Sequence, residues 1–113
     1  MRLEARKYLY DMQRAVDLLT EFTIGKTFAD YERDAMLRAA VEREFEIIGE
    51  AMTQLAKVDE TVAARISHYQ HVIAFRNVLI PRYADVDDRL VWSVVETNLP
   101  VLIREIKTLL EDE

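Results

Sequence analysis

Cysteine is absent from this sequence, and glycine and proline occur only twice each among its 113 residues. The absence of cysteine excludes disulfide bridges and thiolate metal sites. No stretch reaches the roughly 18 uninterrupted apolar residues that a membrane span requires, and the first residues, MRLEARKYLYDMQ, lack the apolar centre of a signal peptide. We therefore expect a cytoplasmic protein without a membrane anchor.

Basic residues are also in the minority, with 15 lysines and arginines against 21 acidic residues and a formal net charge of −6. Nonspecific binding to nucleic acid depends mainly on neutralising phosphates. The excess of acidic residues therefore argues against nonspecific electrostatic binding to RNA or DNA. Any contact with RNA would need a local basic patch.

The residues that are present indicate a helical protein, because half are apolar, about a third are charged, and helix breakers are rare. The length suits one domain over residues 1–113, without a repeat or a linker. Residues 3–23 carry apolar side chains at alternating spacings of three and four, which predicts an amphipathic first helix. Gly25 is placed to end that helix in a left-handed conformation, and Thr27 with Asp30 forms a weak capping-box pattern for the next start.

A long second helix is predicted over residues 28–57, where Gly49 is the single breaker. Glycine in the middle of a helix costs about 1 kcal/mol relative to alanine, so close approach of another helix is a plausible reason for it. Arg43, Glu46 and Glu50 lie within reach of one another on successive turns, and a solvated salt-bridge face is the favoured interpretation.

Three further helical segments follow. Asp59 is placed to cap a short helix over 60–66, and the next helix runs from 68 to about 79, before Pro81. Asp85 or Asp87 is placed to cap the last helix, in which Pro100 predicts a kink or break near 96–100. The sequence therefore predicts an all-α bundle of four to five helices.

Arg76 lies among apolar neighbours three and four residues away on its helix. A guanidinium there needs water or an anion. Two interpretations follow: an interhelical ion pair, with Glu46 or Glu50 as partner, or a phosphate-binding arginine whose planar fork offers paired donors to phosphate oxygens. Spacing alone favours the ion pair.

The stretch RNVLIPRYADVD, residues 76–87, resembles the signature of HepT-like HEPN-domain ribonucleases. In that group an arginine, usually followed by asparagine, stands five residues before a histidine, with a tyrosine two further on. The upstream VEREFEIIGEAMTQLA is also similar to the group's long second helix. Together with the first and last helices, the resemblance covers almost the whole chain.

The resemblance implies a HEPN-type homodimer whose two signature segments face each other across the dimer cleft and form a metal-independent endoribonuclease, without a cofactor. It also implies a toxin paired with a small nucleotidyltransferase antitoxin of the MNT class, which in some pairs adds AMP to the signature tyrosine. Carried over, Arg76 would bind or polarise the scissile phosphate, Asn77 would help to hold the site, and Tyr83 would be the tyrosine open to AMPylation.

One position departs from the pattern, because Pro81 stands where the family has histidine. Cleavage of RNA without a metal generally uses the adjacent 2′-hydroxyl as nucleophile, and proline has no group that can take its proton. Loss of a positioned base typically costs about 10²- to 10⁴-fold in rate. His68 and His71 precede Arg76, and on a continuous helix they point about 80° and 140° away from it, so both are expected to be helix-surface residues.

Arg82 is expected to be a surface arginine, or alternatively to join Arg76 in a symmetric dimer as a local basic patch that binds RNA. Asp85, Asp87 and Asp88 are interpreted as helix-start acids and not as a metal cluster. The following aromatic residues are expected in the core or at an interface: Tyr8, Tyr10, Tyr31, Tyr69 and Trp92.

Three functions remain open at this stage. The leading hypothesis is a HepT-like ribonuclease toxin, weakened by Pro81. The alternatives are a noncatalytic HEPN module that binds a nucleotidyltransferase, a nucleotide or RNA, and a purely structural helical dimer, which would leave Arg76 and Tyr83 unexplained.

Overall fold

A computed structural model of the chain describes residues 1–79 and 86–112. Within these residues the chain forms seven helices and no strand, so the expected all-α class is confirmed. In chain order the helices are α1 Leu3–Thr23, α2 Phe28–Arg33, α3 Ala35–Val58, α4 Glu60–Ala63, α5 Tyr69–Leu79, α6 Asp88–Thr97 and α7 Leu99–Glu111.

The predicted first helix and its end are confirmed. α1 buries its apolar stripe, and Gly25 follows it with a φ of 73°, the left-handed conformation that glycine adopts without a steric cost. Thr27 and Asp30 form the capping box: the Asp30 N–H donates to Thr27 Oγ1 at 3.2 Å, and the Thr27 N–H donates to Asp30 Oδ2 at 2.9 Å. The hydrogen bond from the Thr27 N–H to the Asp30 carboxylate is the largest of the effects that lower the pKa of Asp30.

The long second helix predicted over 28–57 is wrong in one respect, because the chain breaks at Asp34 into α2 and α3. Asp34 leaves helical geometry, with φ −108° and ψ 99°, and its carboxylate accepts a hydrogen bond from the Leu37 N–H at 3.1 Å. Every residue around this point tolerates a helix, so periodicity gave no sign of the break. The sign that was present is the aspartate itself, which is among the preferred N-cap residues.

Most of the other predicted helix boundaries agree with the structure, but the short helix expected over 60–66 is shorter, because α4 ends at Ala63. Asp59 caps α4, and its carboxylate accepts from the Val62 N–H at 3.2 Å. The break expected near Pro100 lies at Asn98, and proline occupies the first turn of α7, where its missing N–H has no intrahelical partner to lose. Four to five helices were expected, and the breaks at Asp34 and Asn98 raise the number in the described residues to seven.

α3 is the central element, packed against α1 on one side and α5 on the other, while α7 packs against α1 and α6. The core includes Tyr31 and Trp92, whose ring centroids are 5.2 Å apart. Of the aromatic residues expected in the core or at an interface, Tyr8 and Tyr69 are half-buried and Tyr10 is exposed. None of the helices in the described residues is long and apolar enough to cross a membrane.

Candidate functional site

Arg76 lies in the last turns of α5, where that helix crosses α3 at Gly49. A Cβ atom on Gly49 would stand 2.6 Å from the Cβ of Arg76 and 3.2 Å from its Cδ. The first distance is far below a normal carbon contact, so only glycine lets the stem of Arg76 lie directly on α3. The expected close approach of another helix at Gly49 is confirmed, and the approaching residue is Arg76.

The guanidinium of Arg76 forms an ion pair with Glu50, and its Nη2 lies 3.2 Å from Glu50 Oε2. The Arg76 side chain is 35% exposed, so its apolar stem is covered while its charged head reaches both water and an anion. Of the two acids expected as partners, Glu46 instead pairs with Arg43, at 3.4 Å. A guanidinium has five N–H donors in a fixed fork, so a single contact with Glu50 leaves donors for a second anion.

Arg76 borders a groove of about 720 Å³ between α1 and α3. The groove is lined by charges of both signs, namely the cations Lys7, Arg14, Arg43 and Arg76 and the acids Asp11, Glu44, Glu46 and Glu50. Lys7 and Asp11 pair with each other at 2.9 Å, and burial raises the pKa of Glu44. This surface has no excess positive charge, in agreement with the acidic composition, so phosphate recognition here would depend on individual arginines.

The structure describes only part of the signature segment. Asn77 follows Arg76 and is exposed near the end of α5. The expectations for Pro81, Arg82 and Tyr83 lie outside the described residues. Within the described residues, the structure brings Arg76 into contact with Gly49 and Glu50. These two residues belong to the upstream motif VEREFEIIGEAMTQLA, and Glu50 precedes Arg76 by 26 residues.

The two histidines belong to a different surface. Their rings are stacked, with centroids 5.3 Å apart and planes 6° apart, and both side chains are exposed, as expected. They border an apolar groove of about 420 Å³ between α3, α5 and α7, whereas Arg76 borders the groove on the α1 side. Neither histidine of this copy lines the Arg76 groove. His68 has a φ of 55° and precedes α5, so the helix expected from residue 68 begins at Tyr69.

Asp87 and Asp88 serve the start of α6, whereas the expectation for Asp85 lies outside the described residues. Asp87 is its N-cap, and its carboxylate accepts from the backbone N–H groups of Arg89 and Leu90 at 3.0 and 3.2 Å. Asp88 lies in the first turn, where a negative charge complements the helix dipole. Over residues 1–79 and 86–112, no group of three or more His, Cys, Asp or Glu side chains is arranged to hold a metal ion.

One electrostatic feature near α6 was not expected from the sequence. Burial, together with the nearby carboxylates of Asp88 and Glu46, raises the pKa of Glu42 on α3. Burial likewise raises the pKa of Tyr31, with Glu42 and Asp88 adding to the effect. Glu42 and Asp88 are 46 positions apart, so only tertiary packing makes them neighbours.

In a comparison with known proteins, the family model described as Ribonuclease HepT-like matches residues 12–109 of the chain. The chain belongs to the HepT-like ribonuclease family. The resemblance of the two motifs that meet at Arg76 is thereby confirmed. No solved structure matches the chain.

Several known proteins align over most of the chain. A Thermococcus cleftensis protein named "Probable ribonuclease HepT" is 32% identical over 90% of this chain and 92% of its own length. A Caldanaerobacter subterraneus subsp. tengcongensis protein named "Putative RNase" is 30% identical over 96% of both chains. A Methanocaldococcus jannaschii protein named "Gamma-glutamylcyclotransferase and putative RNase" is 33% identical over 99% of this chain, which spans only 50% of that relative's length.

Proposed function

We propose that this HepT-like chain is the toxin of a HEPN/MNT toxin-antitoxin pair, a homodimeric endoribonuclease that acts on cytoplasmic RNA and is weakened by Pro81. The observation that carries the proposal is the position of Arg76. Two sequence motifs meet at this position. One supplies Arg76, and the other supplies Gly49, on which the arginine stem packs, and Glu50, which pairs with the guanidinium. A purely structural dimer would not need an arginine that packs across a glycine and keeps N–H donors unused after pairing with Glu50.

In the proposed reaction the 2′-hydroxyl of RNA attacks the adjacent phosphorus. A bond forms between the 2′-oxygen and phosphorus, the bond to the 5′-oxygen breaks, and a proton moves from the nucleophile to the leaving oxygen by way of a base. Arg76 binds the phosphate and stabilises the negative charge that gathers on its oxygens, because a guanidinium donates two parallel hydrogen bonds to such a group. Asn77 helps to hold the site, and Arg82 adds a second cation for the RNA.

The weak point of this site is the proton acceptor. Histidine titrates near neutrality and suits that task, whereas Pro81 has no group that can accept a proton. The phenol of Tyr83 is a poor replacement, because an unperturbed tyrosine titrates near pH 10. We therefore expect the protein to bind RNA through Arg76 and Arg82 but to cleave it slowly.

The proposed partner is a small MNT-type nucleotidyltransferase that modifies Tyr83. In this step the phenolic oxygen forms a bond to the α-phosphorus of ATP, pyrophosphate leaves, and the phenolic proton passes to a base of the transferase. The added AMP places a negative phosphate two residues after Pro81, where it would repel RNA phosphates and occupy Arg76. The toxin would then be silenced without being unfolded.

The test of nuclease function compares the protein as it stands with the double variant Pro81→His with Arg82→Gly, which restores the family pattern. We expect the double variant to cut RNA about 10²- to 10⁴-fold faster, the range that a positioned base supplies. Adding Arg76→Ala to the double variant should remove the gain. Failure of the double variant to cut any RNA would count against nuclease function, and cutting that survives Arg76→Ala would exclude the proposed role of Arg76.

The partner proposal is tested by intact-mass measurement after co-expression with an MNT-type nucleotidyltransferase. We expect additions of AMP on the protein as it stands and none on Tyr83→Phe. Tyr69→Phe, which removes a half-buried tyrosine of α5, is the matched control and should still be modified. Modification that persists in Tyr83→Phe would assign the AMP to another residue.

A second candidate function is a noncatalytic HEPN module that binds RNA or a nucleotidyltransferase without cutting. Pro81 favours it, because the missing base removes chemistry while leaving Arg76 and Arg82 as binding groups. Under this alternative the protein as it stands binds RNA in a manner that Arg76→Ala weakens, and it shows no cleavage at any enzyme concentration. Slow cleavage that depends on Arg76 would favour the weakened nuclease instead.

A further inference from the structure

Arg76 reaches its position through two consecutive residues of α3 that act in different ways. Gly49 supplies the space in which the stem of Arg76 lies, and Glu50 supplies a carboxylate 3.2 Å from one terminal nitrogen of the guanidinium. The stem is fixed by packing, because a Cβ at Gly49 would collide with it. The Arg76 side chain as a whole is 35% exposed, and Glu50 is the ion-pair partner of its guanidinium in the part of the chain that the structure describes.

We propose that Glu50 is a positioning residue for RNA cleavage, which orients Arg76 so that its unused N–H donors meet the scissile phosphate. This inference rests on the proposed function of Arg76 as the phosphate-binding group. A long side chain that is free at its head must lose rotamer freedom each time it binds a phosphate. An ion pair that already holds one nitrogen removes part of that loss before the substrate arrives.

Stability gives no good reason for this pair. Both partners are substantially exposed, Glu50 at 52% and Arg76 at 35%, and exposed ion pairs contribute little to folding because water and salt screen them. Removing Glu50 should therefore leave the fold almost unchanged. An effect on cleavage that exceeds the effect on stability would separate positioning from a merely structural role.

Glu46 offers a matched control on the same helix, one turn before Glu50. It carries the same charge and borders the same groove, but its partner is Arg43, at 3.4 Å, and not Arg76. Changing Glu46 to Gln removes one negative charge from this surface, as changing Glu50 to Gln does. A difference between the two variants therefore reports on the contact with Arg76 and not on the overall charge.

The kinetic experiment uses the Pro81→His, Arg82→Gly background and compares Glu50→Ala, Glu50→Gln and Glu46→Gln. We expect Glu50→Ala to lower kcat by about 10- to 100-fold and to raise KM by a smaller factor, since misplacement of a catalytic group by about 1 Å has effects of that size on the rate. Glu50→Gln keeps an oxygen acceptor and should fall between Glu50→Ala and the background. Glu46→Gln should leave kcat and KM unchanged.

A double-mutant comparison tests whether Glu50 acts through Arg76. In a background that also carries Arg76→Lys, Glu50→Ala should produce no further loss, because the group that it orients is gone. An equal loss in both backgrounds would overturn the proposal. So would faster cleavage or tighter RNA binding in Glu50→Gln, which would make Glu50 a competitor of the phosphate.

A measurement without cleavage separates this inference from the nuclease proposal. The NMR signal of the Arg76 Nε–H group, assigned by its loss in Arg76→Lys, should be shifted and slowly exchanging in the protein as it stands and should move to the free-arginine position in Glu50→Ala. RNA affinity, measured in parallel, should fall in Glu50→Ala but not in Glu46→Gln. The Pro81→His, Arg82→Gly variant could cut no RNA while the Arg76 NMR signal and the RNA affinity both change as stated. That result would exclude nuclease function but support the positioning of Arg76 by Glu50. An unchanged Arg76 signal in Glu50→Ala overturns positioning alone.

Discussion

Gly49 and Arg76 are in contact where α3 and α5 cross, and the geometry of this contact limits what either position tolerates. The Cβ of Arg76 lies where a side chain on residue 49 would have to go. Because Cβ atoms are carried by the backbone, rotation of a side chain cannot relieve the conflict. At the residue scale the site is therefore sensitive to changes of a single carbon atom.

Gly49→Ala is expected to destabilise the protein. Alanine favours a helix by about 1 kcal/mol over glycine, but overpacking at a 2.6 Å contact forces α3 and α5 apart at a cost in the upper part of the range of about 1–3 kcal/mol. The midpoint of urea unfolding should fall, and cleavage by the Pro81→His, Arg82→Gly form should fall with it. If Gly49→Ala instead raised the stability by about 1 kcal/mol, as helix propensity alone predicts, α5 would have to move away from α3 at little cost.

Glu42 gives a pH dependence whose sign follows from its raised pKa. The folded state holds the Glu42 proton more tightly than the unfolded chain, whose glutamate titrates near the ordinary 4.5. This contribution to stability is fully present below that pH and is lost as pH rises through the higher folded pKa. Once ionised, Glu42 destabilises the folded state, because it is partly buried and the carboxylate of Asp88 repels its charge.

We expect Glu42→Gln to raise the melting temperature at pH 7 and to show little or no advantage at pH 4. Melting curves by circular dichroism between these pH values test the trend. Glu60→Gln, which changes an exposed acid in the first turn of α4, is the control and should show no such crossing. A constant offset between Glu42→Gln and the unchanged protein across the range would contradict the assignment.

Helix ends, at the scale of elements, are set by short polar side chains. Four of the seven described helices begin at a threonine or aspartate whose side chain accepts a backbone N–H, and these caps include Asp34, Asp59 and Asp87. Such caps satisfy N–H groups that the helix itself cannot reach. The cap at Asp87 matters most for the site, because it begins the first described helix after the signature segment.

Asp87→Ala is expected to lower the stability of the protein by about 1 kcal/mol, because two backbone N–H groups lose their acceptor. Asp88→Asn, at the next position, keeps the cap and removes a carboxylate that acts on Glu42, so its effect should be smaller. Chemical denaturation of both variants measures the difference. Equal losses would mean that charge in the first turn, and not the cap, stabilises α6.

The whole molecule carries 21 acidic residues against 15 basic ones, and the groove beside Arg76 holds as many acids as cations. A single chain of this kind presents a poor surface for a polyanion. Bringing two signature segments together in a symmetric dimer would double the arginines at one place. The proposed RNA site would therefore depend on formation of the proposed dimer more than on the electrostatic field of one chain.

We expect the protein to have twice the 13.2 kDa mass of one chain in light scattering at micromolar concentration. RNA binding should weaken with salt along a shallow slope, since only a few phosphates are neutralised. Arg76→Ala should lower that slope further. A steady monomer that still cleaves RNA through Arg76 would exclude the shared cleft.

Much of the fold followed from sequence because its determinants are local. Apolar spacing predicted α1 and most of α3, Gly25 and Thr27 marked the first turn, and Pro100 predicted the break before α7. The break at Asp34 was missed because an aspartate inside a helical pattern reads equally well as a surface residue. It becomes a cap only when the chain turns there to place Tyr31 against Trp92.

The sequence by itself determined the helical class, most helix ends and the family, through two motifs that hold Gly49 and Glu50 in one segment and Arg76 in the other. Tertiary structure decided which acid holds Arg76. Glu46 and Glu50 were equivalent by spacing, but Arg76 crosses α3 at Gly49, which puts its guanidinium beside Glu50 and leaves Glu46 to Arg43. It also decided that Glu42 and Asp88 affect each other. Helix ends follow from residues that are close in sequence, so they can be predicted from it. Contacts between distant residues depend on how the helices cross, which only the tertiary structure shows.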